Sequence, residues 1–263
     1  VGSVIGNLSN WMRTDDTSLL LSGTTEFGST VKVYNGLVLL GNATVVGTAW
    51  TYSATVVNGT TYQFNATATD AAGNTSVATS NFTVISDTAA PAVTLATVTD
   101  DIGTVIGALA SGASSDDTSL LLRGTTESGS TVKVYNGLEF LGNATVSGPD
   151  WTYSATVVNG TTYQFNVTAT DAAGNVSAMT SNVAVTGDTT APVVTLGTIV
   201  DDVGSVVGNL SNWMRTDDTS LLLSGTTESG SIVKVYNGLV FLGNATVVGT
   251  TWTYSATVAN DTT

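Results

Sequence analysis

Apolar and polar residues alternate along most of this chain with a period of two, not the ~3.6 of a helix. At residues 162–170, Tyr163, Phe165, Val167 and Ala169 fall on one face, with Gln164, Asn166 and Thr168 between them. Residues 131–135 and 151–157 read the same way, and they are rich in the β-branched residues that suit a pleated, half-buried strand. The first of these runs stops at Asn136-Gly137 and the second at Asn159-Gly160, both turn signals. In the middle third of the chain the pattern predicts strands at residues 93–98, 119–124, 131–135, 139–141, 144–146, 151–157, 163–170 and 183–185. Short strands separated by turns, with no helical period, predict an all-β fold of antiparallel β-sandwich type with Ig-like topology. Trp151 with Tyr153, Tyr163 with Phe165, and Val132 with Val134 are the expected core. A sugar-stacking role for Trp50, Trp151 and Trp252 is the less favoured alternative, because each lies in an alternating strand.

The pattern recurs at a step of 101 residues. Asp15, Asp116 and Asp217 sit in the same T/S-D-D-T-S-L-L-L string, Trp50, Trp151 and Trp252 open the same W-T-Y-S-A-T, and Asp70 and Asp171 open D-A-A-G-N. Residues 1–61 differ from residues 203–263 at seven positions, among them Ile5/Val207 and Phe27/Ser229. A step this long exceeds a solenoid unit and fits a whole domain with its own core. The expected organisation is tandem domains at 1–86 (lacking its first strand), 87–187 (complete) and 188–263 (lacking its last strands). Such a chain reads as a window on a longer array of beads, or as a subunit completed by strands donated from a neighbouring molecule.

Composition narrows the chemistry. The 20 acids against 6 bases give a formal charge of −14, which leaves nothing to neutralise nucleic-acid phosphates and disfavours anionic lipid. The absence of Cys and His removes disulfides, thiolate chemistry and the usual general base, so no enzyme is expected. No run approaches the roughly 18 apolar residues of a membrane span. The opening residues 1–6 have neither a charged start nor an apolar run and do not read as a signal peptide.

Of the 20 acids, 17 fall in five recurring places. These are Asp87 and Asp188 between beads; Asp100, Asp101, Asp201 and Asp202 after the first strand; Asp15, Asp16, Asp116, Asp117, Asp217 and Asp218 before the second; Glu26, Glu127 and Glu228 in the next turn; and Asp70 and Asp171 of D-A-A-G-N. In an Ig-like sandwich Asp87, Glu127, Asp171 and Asn175 would gather at the upstream pole of the middle bead. Asp100, Asp101, Asp116 and Asp117 would gather at its downstream pole, near Asp188. Facing acids repel unless a hard cation sits between them, and Ca2+, which takes six to eight oxygens in flexible geometry, ranks ahead of Mg2+. The plainer reading is that these acids build Asx turns and solvated loops.

The set D-T-T-A-P at 188–192, Asp201-Asp202-x-Gly204, T-D-D-T, S-G-T-T-E, W-T-Y and D-A-A-G-N resembles the bacterial Ig-like tandem repeats of giant, type I secreted, biofilm-type surface adhesins. The resemblance implies a calcium-stiffened rod outside the cell that holds a binding module away from the surface. Its implied ligands are Asp87 or Asp188, the paired acids near the second strand, the turn Glu, and Asp171 with Asn175. Its implied partners are neighbouring repeats, and other fibres or host surfaces through other domains. The chain departs from the pattern at Asn10-Trp11-Met12-Arg13 and Asn212-Trp213-Met214-Arg215, which would either pack on a neighbour or lid the local core. The competing function is a carbohydrate- or protein-binding adhesive module. Sequons at Asn42, Asn58, Asn65, Asn74, Asn143, Asn159, Asn166 and Asn244 raise surface glycosylation.

Overall fold

A computed structural model describes residues 6–104, 106–205 and 207–259. The opening residues 1–5 and Asp261 lie outside them. The chain divides into two compact units, Val1–Thr189 and Thr190–Thr263. Every element of the described residues is a strand.

In the first unit, the first repeat forms β1 (Met12–Thr14), β2 (Ser18–Thr24), β3 (Thr30–Asn35), β4 (Val38–Asn42), β5 (Thr44–Val46), β6 (Ala49–Thr55), β7 (Thr61–Thr69) and β8 (Phe82–Ser86). The second forms β9 (Thr97–Asp100), β10 (Gly107–Ala108), β11 (Ala113–Ser115), β12 (Ser119–Thr125), β13 (Thr131–Asn136), β14 (Glu139–Asn143), β15 (Thr145–Ser147), β16 (Asp150–Thr156), β17 (Thr162–Thr170) and β18 (Val183–Gly187). The second unit forms β19 (Thr195–Asp201), β20 (Gly208–Asn209), β21 (Ser220–Thr226), β22 (Lys234–Asn237), β23 (Val240–Asn244), β24 (Thr246–Val248) and β25 (Thr251–Thr257).

The second repeat shows the whole sandwich. One sheet runs β10-β9-β12-β16-β15 and the other β11-β18-β17-β13-β14. All pairings are antiparallel except β11 with β18, which is parallel with Ala113 opposite Val185. The chain thus enters along one sheet in β9 and crosses to the other in β11, an arrangement found in Ig-like sandwiches. Trp151, Phe165, Leu120, Leu122, Val132, Val134, Val167 and Val185 are all but fully buried between the sheets. Tyr153 and Tyr163 are half-buried, with their hydroxyls on Leu141 O (3.0 Å) and Val158 N (3.1 Å). The fold is therefore the all-β, tandem Ig-like sandwich that the alternation predicted.

Two details differ from the sequence reading. The strand expected at 93–98 lies at Thr97–Asp100; upstream of it the backbone still bonds β12 through Thr94 N–H to Thr125 O (2.9 Å) and Ala96 N–H to Arg123 O (2.8 Å), while Trp151 Nε1 donates to the Thr94 carbonyl (3.0 Å). The strands β10 and β11 were not foreseen; they are two and three residues long and show no alternation.

The first repeat keeps the β1-β8-β7-β3-β4 sheet, and among the described residues its second sheet consists of β2-β6-β5. Its core is smaller, built on Leu19, Val56, Tyr62, Phe64 and Val84. The second unit has a β20-β19-β21-β25-β24 sheet and a two-stranded β22-β23 sheet, with Val233, Val235 and Trp252 buried.

Candidate functional site: the acidic poles

The acids before and after the β9–β12 crossing fold back on one another. Asp100 ends β9 and is 2% exposed. Its Oδ1 accepts the Ile102 N–H (2.9 Å) and its Oδ2 the Ser115 hydroxyl (2.6 Å). Asp117, 3% exposed, accepts Ser119 N–H on Oδ1 (2.7 Å) and Asp101 N–H on Oδ2 (3.4 Å). Its own N–H donates to Ser115 Oγ (3.2 Å). A carboxylate leaving water must be met by donors, and here short Asx turns supply them. The third repeat copies this geometry: Thr216 Oγ1 donates to Asp201 (2.7 Å) and Ser220 N–H to Asp218 (2.7 Å).

Asp116 stays exposed, set against Gly103, whose φ of 76° and missing Cβ admit the carboxylate; Asp217 stands over Gly204 in the same way. The linker returns to this pole through Asp188 N–H donating to Ser115 O (2.7 Å). The result is a pocket of about 200 Å³ lined by Asp100, Thr104, Ser114, Ser115, Asp116 and Asp188. Three of its residues are acids and none is basic.

The first repeat treats the same pole differently. Asp87 N–H donates to Thr14 O (2.9 Å), but Arg13 Nη1 reaches Asp87 Oδ2 at 3.0 Å. Position 13 is Arg, and its counterpart in the second repeat is Ser114. Asp87 thus pairs with Arg13, while Asp188 lines a pocket together with Ser114 and Ser115. Asp15 and Asp16 beside it are half-buried, with Asp16 N–H on Thr14 Oγ1 (3.2 Å).

At the upstream pole of the second repeat, Asp171 Oδ1 accepts the N–H groups of Ala173 and Asn175 (both 2.9 Å), and Oδ2 accepts Asn175 Nδ2 (2.9 Å). Asn175 Nδ2 also donates to Asp87 O (2.8 Å), so Asp87, Asp171 and Asn175 do meet. Glu127 and Glu228 are exposed, and it is their backbone carbonyls that close the turns onto Ser130 and Ser231 (3.1 and 3.2 Å). Asp101 and Asp202 are exposed, and their N–H groups bind the neighbouring acids Asp117 and Asp218. In the first repeat, Asp70 forms the same loop, and the Asn74 side-chain amide, aided by backbone N–H groups, holds its carboxyl below the ordinary 3.8.

For calcium, the donor chemistry of Asp100, Asp116 and Asp188 fits: oxygens only, with hydroxyls alongside. The spacing is not that of a finished cage, since among the described residues no group of three or more His, Cys, Asp or Glu is arranged to hold a metal ion. Asp171 and Asn175 turn donors and acceptors toward each other, and Asn175 Nδ2 also reaches the linker carbonyl of Asp87 (2.8 Å).

Sequence reasoning passed over Arg13 and the hydroxyl position Thr14/Ser115/Thr216. The retained hydroxyl before every Asp-Asp was a usable signal; the Arg13–Asp87 pair, 74 residues apart, left none. The Trp-Met loops do not lid the core. Trp11 is 64% and Trp213 94% exposed, while Met12 and Met214 accept the N–H of Ser9 and Ser211 (both 3.1 Å). Trp151 and Trp252 are buried and closed to sugar stacking. The sequon Asn166 is buried as well, its amide on Gly137 O (2.9 Å) and Asn182 Oδ1 (2.8 Å), so it is not a surface glycosylation site.

Residues 108–187 match the family described as Bacterial Ig domain, and residues 39–87 that described as Bacterial Ig-like domain. These two segments are thus similar to bacterial Ig-like domains. No curated protein matches it. Similar solved structures include the Clostridium thermocellum CbhA fibronectin(III)-like modules (19% identity over 68% of this chain and 90% of that one, TM-score 0.43). Others are Sidekick-1 immunoglobulin domains 1–5 (10% identity, 100% and 53%, TM-score 0.29) and Bacteroides ovatus SGBP-B in complex with a mixed-linkage heptasaccharide (15% identity, 98% and 68%, TM-score 0.24).

Proposed function

We propose that this chain is a non-enzymatic structural spacer of an extracellular surface adhesin or fibre, stiffened by calcium where one bacterial Ig-like repeat meets the next. The observation that carries the reading is the pole of the second repeat, where Asp100, Asp116 and Asp188 converge on one pocket with Thr104, Ser114 and Ser115. Near-identity of the first and third repeats supports a spacer over a specialised binding module, since a dedicated site would be confined to one copy. At the first junction Arg13 does part of the cation's work on Asp87. Asp100, Asp116 and Asp188 would hold the ion, which would supply charge neutralisation and a fixed linker geometry.

The test is calorimetric titration of the 263-residue chain with Ca2+, beside Ser114→Arg and Asp188→Asn. The reading predicts saturable binding that both substitutions weaken, the first by placing in the second repeat the cation that Arg13 supplies in the first. Binding unchanged in both variants, or no binding at millimolar Ca2+, would return these acids to the role of turn formers.

A further inference from the structure

The linker between the first two repeats, residues 86–91, is tied on both sides. On the first repeat, Ser86 N–H donates to Thr60 O (3.0 Å), Asp87 N–H to Thr14 O (2.9 Å) and Thr88 N–H to Asn58 Oδ1 (2.7 Å). Arg13 Nη1 adds the ion pair to Asp87 Oδ2 at 3.0 Å. On the second repeat, Asn175 Nδ2 donates to Asp87 O (2.8 Å), across 88 residues of sequence. Asp87 thus gives its N–H and its carboxylate to one repeat and its carbonyl to the other. A primary amide nitrogen carries two hydrogens, and Asn175 uses both. One holds its own loop through Asp171 Oδ2 (2.9 Å), and the other holds the linker. An aspartate at this position would have neither donor. Further along the linker Pro91 is buried, its ring fixing the backbone φ, and Ala173 of the Asp171 loop is fully buried.

We propose that this seam is a cation-independent lock between the first two repeats. The D-A-A-G-N loop of the second repeat is the docking surface, the linker leaving the first repeat is its partner, and Asn175 and Arg13 are the positioning residues. Ordering a linker costs conformational entropy for every torsion fixed. Here the first repeat has already ordered residues 86–88, so the bridge to Asn175 starts from a fixed chain. The two positioning contacts differ in kind. Arg13 is about half exposed, so salt screens its pair with Asp87, whereas the bond from Asn175 to a neutral carbonyl is insensitive to salt. The lock goes beyond the spacer reading: it sets the geometry of the first junction with calcium absent, so its failure would leave that reading standing.

The experiment uses the full chain, which has no cysteine of its own, spin-labelled at Lys32→Cys and Lys133→Cys, one exposed position in each repeat. Pulsed dipolar spectroscopy in chelator reads the distance distribution between the two labels. Expected is one narrow distribution that added Ca2+ leaves unchanged. Asn175→Ala should broaden it by raising the open fraction about fivefold, the net effect of one hydrogen bond. Arg13→Ala, which leaves the Asp171 loop untouched, should raise it about twofold, and molar salt should mimic Arg13→Ala but not Asn175→Ala. A narrow distribution that both variants leave unchanged would overturn the lock. A broad distribution in the parent chain that narrows on adding Ca2+ would overturn it as well, while supporting the calcium reading.

Discussion

Truncating one leucine should cost very different amounts in the two repeats of the first unit. Leu122 is fully buried in the second repeat, flanked by β9 and β16. Its counterpart Leu21 is half-buried, paired with Tyr52 on β6, and lines an open cavity of about 1020 Å³. Leu122→Ala loses the transfer free energy of the side chain and leaves an enclosed cavity, about 3 kcal/mol within the range for buried leucines. Leu21→Ala loses only part of the transfer term and encloses no new void, about 1 kcal/mol. A single chain-wide unfolding free energy is ill-defined for linked domains, so the assay must be local. Hydrogen exchange read by mass spectrometry on peptides covering β12 and β16, and β2 and β6, gives the opening free energy of each repeat. The prediction is a protection loss near a hundredfold in the second repeat and near fivefold in the first. Equal losses would show that the first repeat encloses Leu21 as fully as the second encloses Leu122.

Trp11 and Trp213 hold φ near 70°, where the second repeat has Gly112 at 94°. Trp11→Gly should therefore stabilise its repeat by about 0.5–1 kcal/mol, left-handed strain relieved less the added chain entropy of glycine, read by local exchange; a loss of stability would mean the tryptophan packs on something in solution. The carboxyl of Asp70 is depressed, chiefly by the Asn74 amide. Because the folded value lies below the unfolded one, the loop's stabilisation is full above 3.8 and fades as pH falls through the folded value. A carbon-13 titration should place the Asp70 midpoint below 3.8 and move it upward in Asn74→Ala; a midpoint at or above 3.8 in the native chain contradicts the loop geometry.

The sheet strands could be read from sequence because one face of each is buried, which forces alternation at Tyr163, Phe165 and Val167 or at Val132 and Val134. The strand β11 could not be read that way. Ala113-Ser114-Ser115 has no apolar face, and its conformation is imposed by Thr186 and its neighbours on β18, more than 70 residues away. The poles were legible as clusters of Asp because short polar residues at strand ends make Asx turns whatever else they do. Which acids meet was not legible. Glu127 stays out in solvent, Asp100 and Asp117 turn inward onto Ser115 and Ser119, and Asp87 finds Arg13, each decided by the β9-to-β11 crossing and not by local sequence.

The central claim is that cations at the acidic poles stiffen the array. Small-angle scattering of the 263-residue chain, in millimolar Ca2+ and in chelator, tests it most directly when paired with a thermal melt of the same samples. The account predicts a larger maximum dimension and a higher melting point with Ca2+, both smaller in Asp188→Asn. Superimposable scattering curves with an unchanged melting point would contradict it.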